Sequence, residues 1–156
     1  MTRMTKKRIL IANGVNLDLL GRREPDIYGT TTLASLEDEL RKINPALAKA
    51  FGLDPAELNF YQTNHEGQFL DKISEGWDGA VINPGAWTHT SLALADRLAG
   101  LKLPFAEVHL SNIAKREAFR QHSYSAPFAV GVCFGFGSAS YICGLSGLYA
   151  WIAKQS

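Results

Sequence analysis

The sequence predicts an α/β fold in which a parallel sheet of five strands is covered by helices on both faces. Short apolar runs alternate along the chain with segments whose apolar residues recur every three or four positions. Turn-forming glycine, proline and asparagine separate many of these segments. When each strand is followed by a helix, consecutive strands run parallel and the crossovers between them are right-handed.

The apolar runs give the strands in order. The predicted strands cover residues 8–13, 58–62, 79–83, 104–109 and 129–133. The first predicted helix carries apolar residues at positions 33, 36, 40, 43 and 47, and Pro45 within it predicts a kink or break. Residues 44–57 then form a variable surface segment. Further helices are predicted at residues 68–77, 90–101, 114–121 and 139–154. This order predicts a flavodoxin-like three-layer sandwich forming one domain over residues 1–156.

Composition excludes several classes of function. The chain has 16 basic and 15 acidic residues and a net charge of +1, too little to hold nucleic acid or an anionic membrane surface. Its apolar runs are too short for a membrane span or a signal peptide. Cys133 and Cys143 fit neither a zinc knuckle nor a CxxC pair, so we expect buried free thiols. A cytoplasmic protein is expected.

Polar residues follow the predicted strands where each strand ends. Three of the four histidines and most side-chain amides fall in these segments, which cover residues 13–16, 62–66, 83–90 and 107–112. The carboxyl ends of parallel strands share one rim, where such sheets bind ligands. The sequence therefore predicts a functional site at this rim.

His109 and Glu107 lie two positions apart at the end of one strand and so share a strand face. A group that titrates near neutral pH is a good proton donor or acceptor in a cleft. The alternative is a histidine with a purely structural role.

Other rim residues also have two interpretations. His89 could bind a ligand, although N-capping by Thr88 or Thr90 would explain the threonines beside it. His65 fits a turn residue, and Asn83 fits a turn former before proline.

Metal, nucleotide and hydrolase sites are disfavoured. The histidines lack metal-ligand spacing, and the glycine-rich residues 131–137 follow the last strand rather than the first. Ser91, Ser111 and Ser138 lack a nucleophile elbow.

The loop at residues 21–29 contains two arginines and Tyr28 between flanking glycines. Long loops of this kind often act as lids. A phenol with a pKa near 10 is a poor base, but a nearby guanidinium favours the phenolate. A solvated loop with a packed tyrosine is the alternative.

Five ordered blocks together resemble the signature of type II 3-dehydroquinate dehydratase. The blocks cover residues 13–29, 62–67, 83–91, 107–112 and 116–124. The resemblance extends over nearly the whole chain. It implies a lyase that converts 3-dehydroquinate to 3-dehydroshikimate and water, with neither cofactor nor metal.

The resemblance also implies catalytic roles. Tyr28 would be the base, and Arg23 would keep it ionised. His109 would protonate the leaving hydroxyl with support from Glu107. Asn16 would stabilise an enolate through a bound water.

The same resemblance implies a substrate-binding set. Its members are Asn83, His89, Asp96, Leu110, Ser111 and Arg120. Asn83, Leu110 and Ser111 would hold the substrate carboxylate, while His89 and Arg120 would bind ring hydroxyls. Asp96 would reach a neighbouring subunit's site in a dodecamer of four trimers, and Arg116 would assist the lid.

Some segments depart from the usual pattern of that family. Val15 stands where proline is usual, Asp18 where asparagine is usual, and Trp87 where a smaller side chain or tyrosine is usual. Residues 44–57 are longer than typical, and residues 134–148 are atypical. Two rival interpretations are a flavodoxin-like protein that binds a flavin or phosphate, and an inactive homologue.

Overall fold

A parallel sheet forms the centre of the protein in the computed structural model, which describes residues 6–22, 26 and 30–156. Its five strands are β1 (Arg8–Asn13), β2 (Glu57–Gln62), β3 (Gly79–Asn83), β4 (Phe105–His109) and β5 (Gly131–Phe134). The strands lie in the order β2-β1-β3-β4-β5, and every neighbouring pair is parallel. This is the flavodoxin-like order, so the predicted fold class is confirmed.

Helices cover both faces of the sheet. They are α1 (Leu33–Ala50), α2 (Glu66–Ile73), α3 (Leu92–Gly100) and α4 (Ala139–Gln155). Side chains of the inner strand β1 alternate between the two layers: Ile9 and Ile11 pack in the cluster that contains α1 and α4 residues, while Leu10 and Ala12 pack with α2 and α3. Burying each larger side chain stabilises the fold by about 1.5–3 kcal/mol.

Pro45 does not break its helix, so the break that was one of the two predicted outcomes does not occur. Helix α1 is continuous from Leu33 to Ala50, with Leu40 and Ala48 buried on either side of the proline. Packing of that face outweighs the one backbone hydrogen bond that proline cannot donate. The predicted surface segment at residues 44–57 is correct only in part, because residues 44–50 belong to α1 and Asn44, Ala48 and Ala56 are buried. Its first residue, Asn44, is buried and donates from Nδ2 to the Ala56 carbonyl at 2.9 Å.

The helix predicted at residues 114–121 is also wrong. Two short 3-10 turns, Ile113–Lys115 and Ala118–Arg120, occupy this region. Arg116 and Glu117 between them have ψ angles of 177° and 149°, which are extended values that end one turn before the next begins.

The two cysteines are less buried than expected. Cys133 on the edge strand β5 is half-buried, and Cys143 on α4 is exposed. Burial and a hydrogen bond with Cys143 raise the pKa of the Cys133 thiol to about 11. Among the described residues, no helix has the length and apolar character needed to cross a membrane.

Candidate active site

A cavity lies where the carboxyl ends of β1, β3 and β4 meet. The space between its walls is about 820 Å³, including the part open to solvent. After β1 the chain forms β2 on one side of it and then β3 on the other side. The strand order therefore reverses at β1, which makes this end of the sheet its topological switch point. The predicted residues that line it are Asn16, Asn83, His89, His109, Leu110, Ser111, Arg116 and Arg120.

Two predicted site residues, Glu107 and Asp96, do not line the cavity. Glu107 is fully buried beneath His109, with which it makes a hydrogen bond. Asp96 is exposed on α3 and is not among the cavity residues. His65, which the sequence also placed at the rim, is exposed before α2 and is likewise not in the cavity wall. Arg23 and Tyr28 lie outside the described residues.

Close backbone approach joins the loops after β1 and β3. The Gly14 N–H donates to the Asn83 carbonyl at 2.8 Å, and a Cβ on Gly14 would lie 2.4 Å from the Pro84 carbonyl oxygen. Gly85 has a φ of 62°, and a Cβ there would lie 2.7 Å from the Val15 carbonyl oxygen. Only glycine fits at both positions, and it allows the loops after β1 and β3 to approach this closely beside the cavity.

Asn16 enters the cavity from a left-handed backbone conformation with a φ of 65°. Its backbone N–H donates to Asn64 Oδ1 at 2.8 Å, and the same oxygen accepts from Gln62 Nε2 at 3.1 Å. Asn64 was not predicted as a site residue, although it lies in one of the polar segments at the strand ends. It fixes the turn that presents Asn16.

Asn83 combines the two roles that the sequence left open. Its Oδ1 accepts from the Gly85 N–H at 3.0 Å, which makes it a turn former, and it also lines the cavity. Its Nδ2 donates to the hydroxyl of Tyr141 at 2.8 Å, and that hydroxyl donates to Asn13 Oδ1 at 2.5 Å. Tyr141 on α4 was not foreseen as part of the site.

The imidazole rings of His109 and His89 both line the cavity and lie nearly parallel to one another. Their ring centroids are 6.3 Å apart and their planes differ by 19°. His109 Nε2 lies 2.7 Å from Glu107 Oε1, so Nδ1 is the nitrogen left for a ligand. His89 Nδ1 donates to the His122 carbonyl at 2.7 Å.

Burial lowers the pKa of His89 below its ordinary value, and the charges of His109 and Arg120 act in the same direction. The bond to the His122 carbonyl and the charge of Glu107 oppose this shift without reversing it. His89 is therefore a neutral ring at neutral pH. A neutral imidazole can both donate and accept hydrogen bonds, which suits recognition of hydroxyl groups.

The threonines beside His89 do not cap α3. Ser91 fills that position, and its hydroxyl accepts from the Leu94 N–H at 2.9 Å. Thr88 instead donates to Glu107 Oε1 at 2.6 Å, and Thr90 contacts the Ala86 carbonyl at 3.4 Å. The capping explanation of Thr88 and Thr90 is therefore wrong.

Sequence comparison decides the family. The model of the family described as dehydroquinase class II matches residues 7–149. The chain belongs to the class II dehydroquinase family. A relative from Gloeobacter violaceus named 3-dehydroquinate dehydratase is 49% identical over 152 residues, covering 96% of this chain and 91% of the relative.

Solved type II dehydroquinases share the structure as well. The enzyme from Butyrivibrio crossotus superimposes with a TM-score of 0.81 at 39% identity, covering 92% of this chain and 97% of its own. The enzyme from Propionibacterium acnes gives a TM-score of 0.79 at 41% identity, covering 96% and 97%. The predicted family is confirmed, and the chain is a member of a lyase family of the shikimate pathway.

Proposed function

We propose that the chain dehydrates 3-dehydroquinate, with Tyr28 as the base and His109 as the acid. The reaction is that of the class II dehydroquinase family to which the chain belongs. The observation that carries the assignment of the acid is that His109 lines the cavity while Glu107 holds its far nitrogen. An imidazole held in this way keeps one nitrogen free for proton transfer to substrate.

The reaction has a balanced course. A base removes a proton from the carbon next to the ketone, and the electron pair forms an enolate. Collapse of the enolate expels the β-hydroxyl, which takes a proton from the acid and leaves as water. The product is 3-dehydroshikimate, a conjugated enone. Tyr28 would act on one side of the ring and His109 on the other, while Arg23 keeps the phenol ionised and Asn16 stabilises the enolate charge.

Substrate carboxylate and hydroxyls require a set of donors. Asn83, Leu110 and Ser111 lie together at the ends of β3 and β4, where they would hold the carboxylate. Arg120 Nε is buried without a hydrogen-bond partner in the described part of the chain, although it lies 3.4 Å from Glu117 Oε2. A substrate hydroxyl beside it would satisfy this donor. His89 would bind a second hydroxyl.

The oligomer is part of the proposal. A dodecamer of four trimers would cover apolar side chains that are exposed on one chain, among them Leu92, Phe119 and Phe136, which are 62%, 70% and 68% exposed. Asp96 would then reach a neighbouring subunit's cavity from α3. Light scattering should give about twelve times the chain mass of 17.1 kDa. We also place the enzyme in the cytoplasm.

Incubation with 3-dehydroquinate tests the function directly, because the enone product absorbs in the ultraviolet. Wild-type protein should turn over. Tyr28→Phe should lose activity at least 100-fold while still binding substrate, because it keeps the ring and removes only the base. Tyr61→Phe, on β2 and in contact with Lys72, is the matched control and should keep the wild-type rate. An active Tyr28→Phe would remove the assigned base, and a folded wild-type protein without turnover would indicate an inactive homologue.

A further inference from the structure

Glu107 is a buried carboxylate surrounded by hydroxyl groups. Its Oε1 lies 2.6 Å from Thr88 Oγ1 and 2.8 Å from Ser123 Oγ, and its Oε2 lies 2.7 Å from Ser125 Oγ. His109 Nε2 completes the set at 2.7 Å from Oε1. Thr88, Ser125 and Glu107 are each at most 1% exposed. Four donors from three chain segments therefore converge on two oxygens.

The three hydroxyls also contact one another. Thr88 Oγ1 lies 2.6 Å from Ser123 Oγ and 2.9 Å from Ser125 Oγ, and the two serine oxygens are 3.2 Å apart. Each hydroxyl has a single hydrogen to donate, so the three hydroxyls cannot make a hydrogen bond at every one of these short oxygen–oxygen distances. Hydrogen bonds to an ionised acceptor are roughly twice as strong as neutral ones, which directs hydrogens toward the carboxylate. The arrangement stabilises Glu107 as an anion.

The segment that supplies the serines is tied to the turn that carries His89. The Tyr124 N–H donates to the Thr88 carbonyl at 2.8 Å, and His89 Nδ1 donates to the His122 carbonyl at 2.7 Å. Residues 122–125 thus hold the turn after β3 against the end of β4. These two hydrogen bonds fix the positions of the Thr88, Ser123 and Ser125 hydroxyls relative to one another.

We propose that Thr88, Ser123 and Ser125 are positioning residues for the dehydration. They hold Glu107 as an acceptor, and Glu107 in turn holds the His109 ring with Nε2 inward and Nδ1 toward the substrate. The proposal rests on the role of His109 as the acid. We call the hydroxyls of Thr88, Ser123 and Ser125 the hydroxyl cradle. It is added to the pair of Glu107 and His109 that the family resemblance implies.

The electrostatics of Glu107 agree with this role. Burial raises its pKa, but the hydrogen bond and charge of His109 and the hydroxyls of Thr88 and Ser125 outweigh burial, and the pKa is lowered overall. The other titratable or charged groups among the described residues of the cavity wall are His89, Arg116 and Arg120. Removing a hydroxyl should make Glu107 accept a proton at higher pH.

The test compares the pH dependence of kcat and kcat/KM in Ser125→Ala and Thr88→Val with that of wild type. Each variant should lower kcat about 10-fold with KM within about 2-fold. Each should also move the acid limb of the pH profile upward by about one unit, because a hydrogen bond to a charged group has about that effect on a pKa. Thr88→Ser keeps a hydroxyl at this position, so the acid limb of its pH profile should lie where that of the wild type does.

Ser140→Ala is the matched control. Ser140 is fully buried on α4, and its hydroxyl accepts from the Phe136 N–H at 3.0 Å, away from Glu107. Its loss should lower stability and leave the pH profile unchanged. Wild-type pH profiles and kcat in Ser125→Ala and Thr88→Val would overturn the proposal, as would a Thr88→Ser profile displaced as far as that of Thr88→Val. Should Thr88→Val fail to fold, Ser125→Ala decides alone.

The assigned acid is tested separately. His109→Asn should lose activity about 100-fold or more at every pH. A fully active His109→Asn would remove the acid itself, whereas normal profiles in the hydroxyl variants beside an inactive His109→Asn would overturn only the cradle.

Discussion

The side-chain amide of Asn83 donates to the hydroxyl of Tyr141 at 2.8 Å across 58 positions of sequence. Tyr141 is fully buried, and its hydroxyl donates a hydrogen bond to Asn13 Oδ1. Burial raises the pKa of Tyr141 far above its usual range, so the phenol stays protonated and keeps donating. One tyrosine from the last helix thus orients an amide at the end of β3, where the cavity begins.

Tyr141→Phe should therefore affect both folding and substrate binding. We expect a loss of about 1–3 kcal/mol in the free energy of unfolding, since Asn13 and Asn83 lose a buried partner. Because Asn83 would no longer be fixed, KM should rise several-fold. Denaturant unfolding and steady-state kinetics measure the two effects.

Tyr149→Phe serves as its control. Tyr149 is also buried on α4; it donates to Asn44 Oδ1 at 2.5 Å and accepts from the Ala56 N–H at 2.9 Å, and none of these residues lines the cavity. Stability should fall by a similar amount with KM unchanged. Equal KM in both variants would show that Tyr141 does not orient the binding site.

Acid should destabilise the fold through His89. Its pKa in the folded protein is below the ordinary 6.5, so the unfolded chain binds the proton more tightly. Well above pH 6.5 the ring is neutral in both states, and stability falls as the pH drops through that value because the unfolded chain takes up the proton first. Urea unfolding at pH 7.5 and 5.5 measures the difference, which His89→Gln should reduce. His65→Gln, at an exposed histidine outside the cavity wall, should not reproduce this reduction.

Two glycines of α4 should respond oppositely to alanine. A Cβ on Gly144 would lie 2.5 Å from Val108 Cγ1, so Gly144→Ala should cost about 1–3 kcal/mol through overpacking. A Cβ on Gly147 meets nothing within 4 Å, and Gly147→Ala should stabilise the helix by about 0.5–1 kcal/mol. Thermal or urea unfolding of the pair checks this. A stabilised Gly144→Ala would mean that α4 can move off the sheet.

Activity should survive borohydride in the presence of substrate. No lysine is found among the described residues that line the cavity, and the sequence has none between Lys7 and Lys42. A mechanism through a lysine imine would be trapped by reduction, whereas a phenolate base and an imidazole acid would be unaffected. Assay before and after treatment checks this, and progressive inactivation that depends on substrate would contradict the proposed mechanism.

The sheet could be predicted because buried parallel strands are short apolar runs with turn residues at their ends. The rim was predictable too, since the polar segments follow those runs directly. Local patterns mislead where tertiary packing overrides them, as at Pro45, whose helix is held by Leu40 and Ala48 on either side. The expectation of burial also failed for Cys143, because free cysteines are usually buried but residue type does not tell which side of a helix faces solvent.

The hydroxyl cradle had no local signal. Ser123 and Ser125 belong to an irregular segment, and their partner Glu107 lies 16 and 18 positions earlier. Serine is common at turns, so its presence there predicts a turn rather than a contact with a buried carboxylate. Tyr141 was hidden in the same way, within a helix whose apolar character predicts only burial.

The bond between Tyr141 and Asn13 spans 128 residues and has a consequence for biosynthesis. On a ribosome, β1 emerges on the order of ten seconds before α4 at ordinary rates of translation. During that interval the amides at the ends of β1 and β3 have no tyrosine between them. The nascent protein thus cannot complete this hydrogen-bonded link beside the cavity until α4 leaves the exit tunnel.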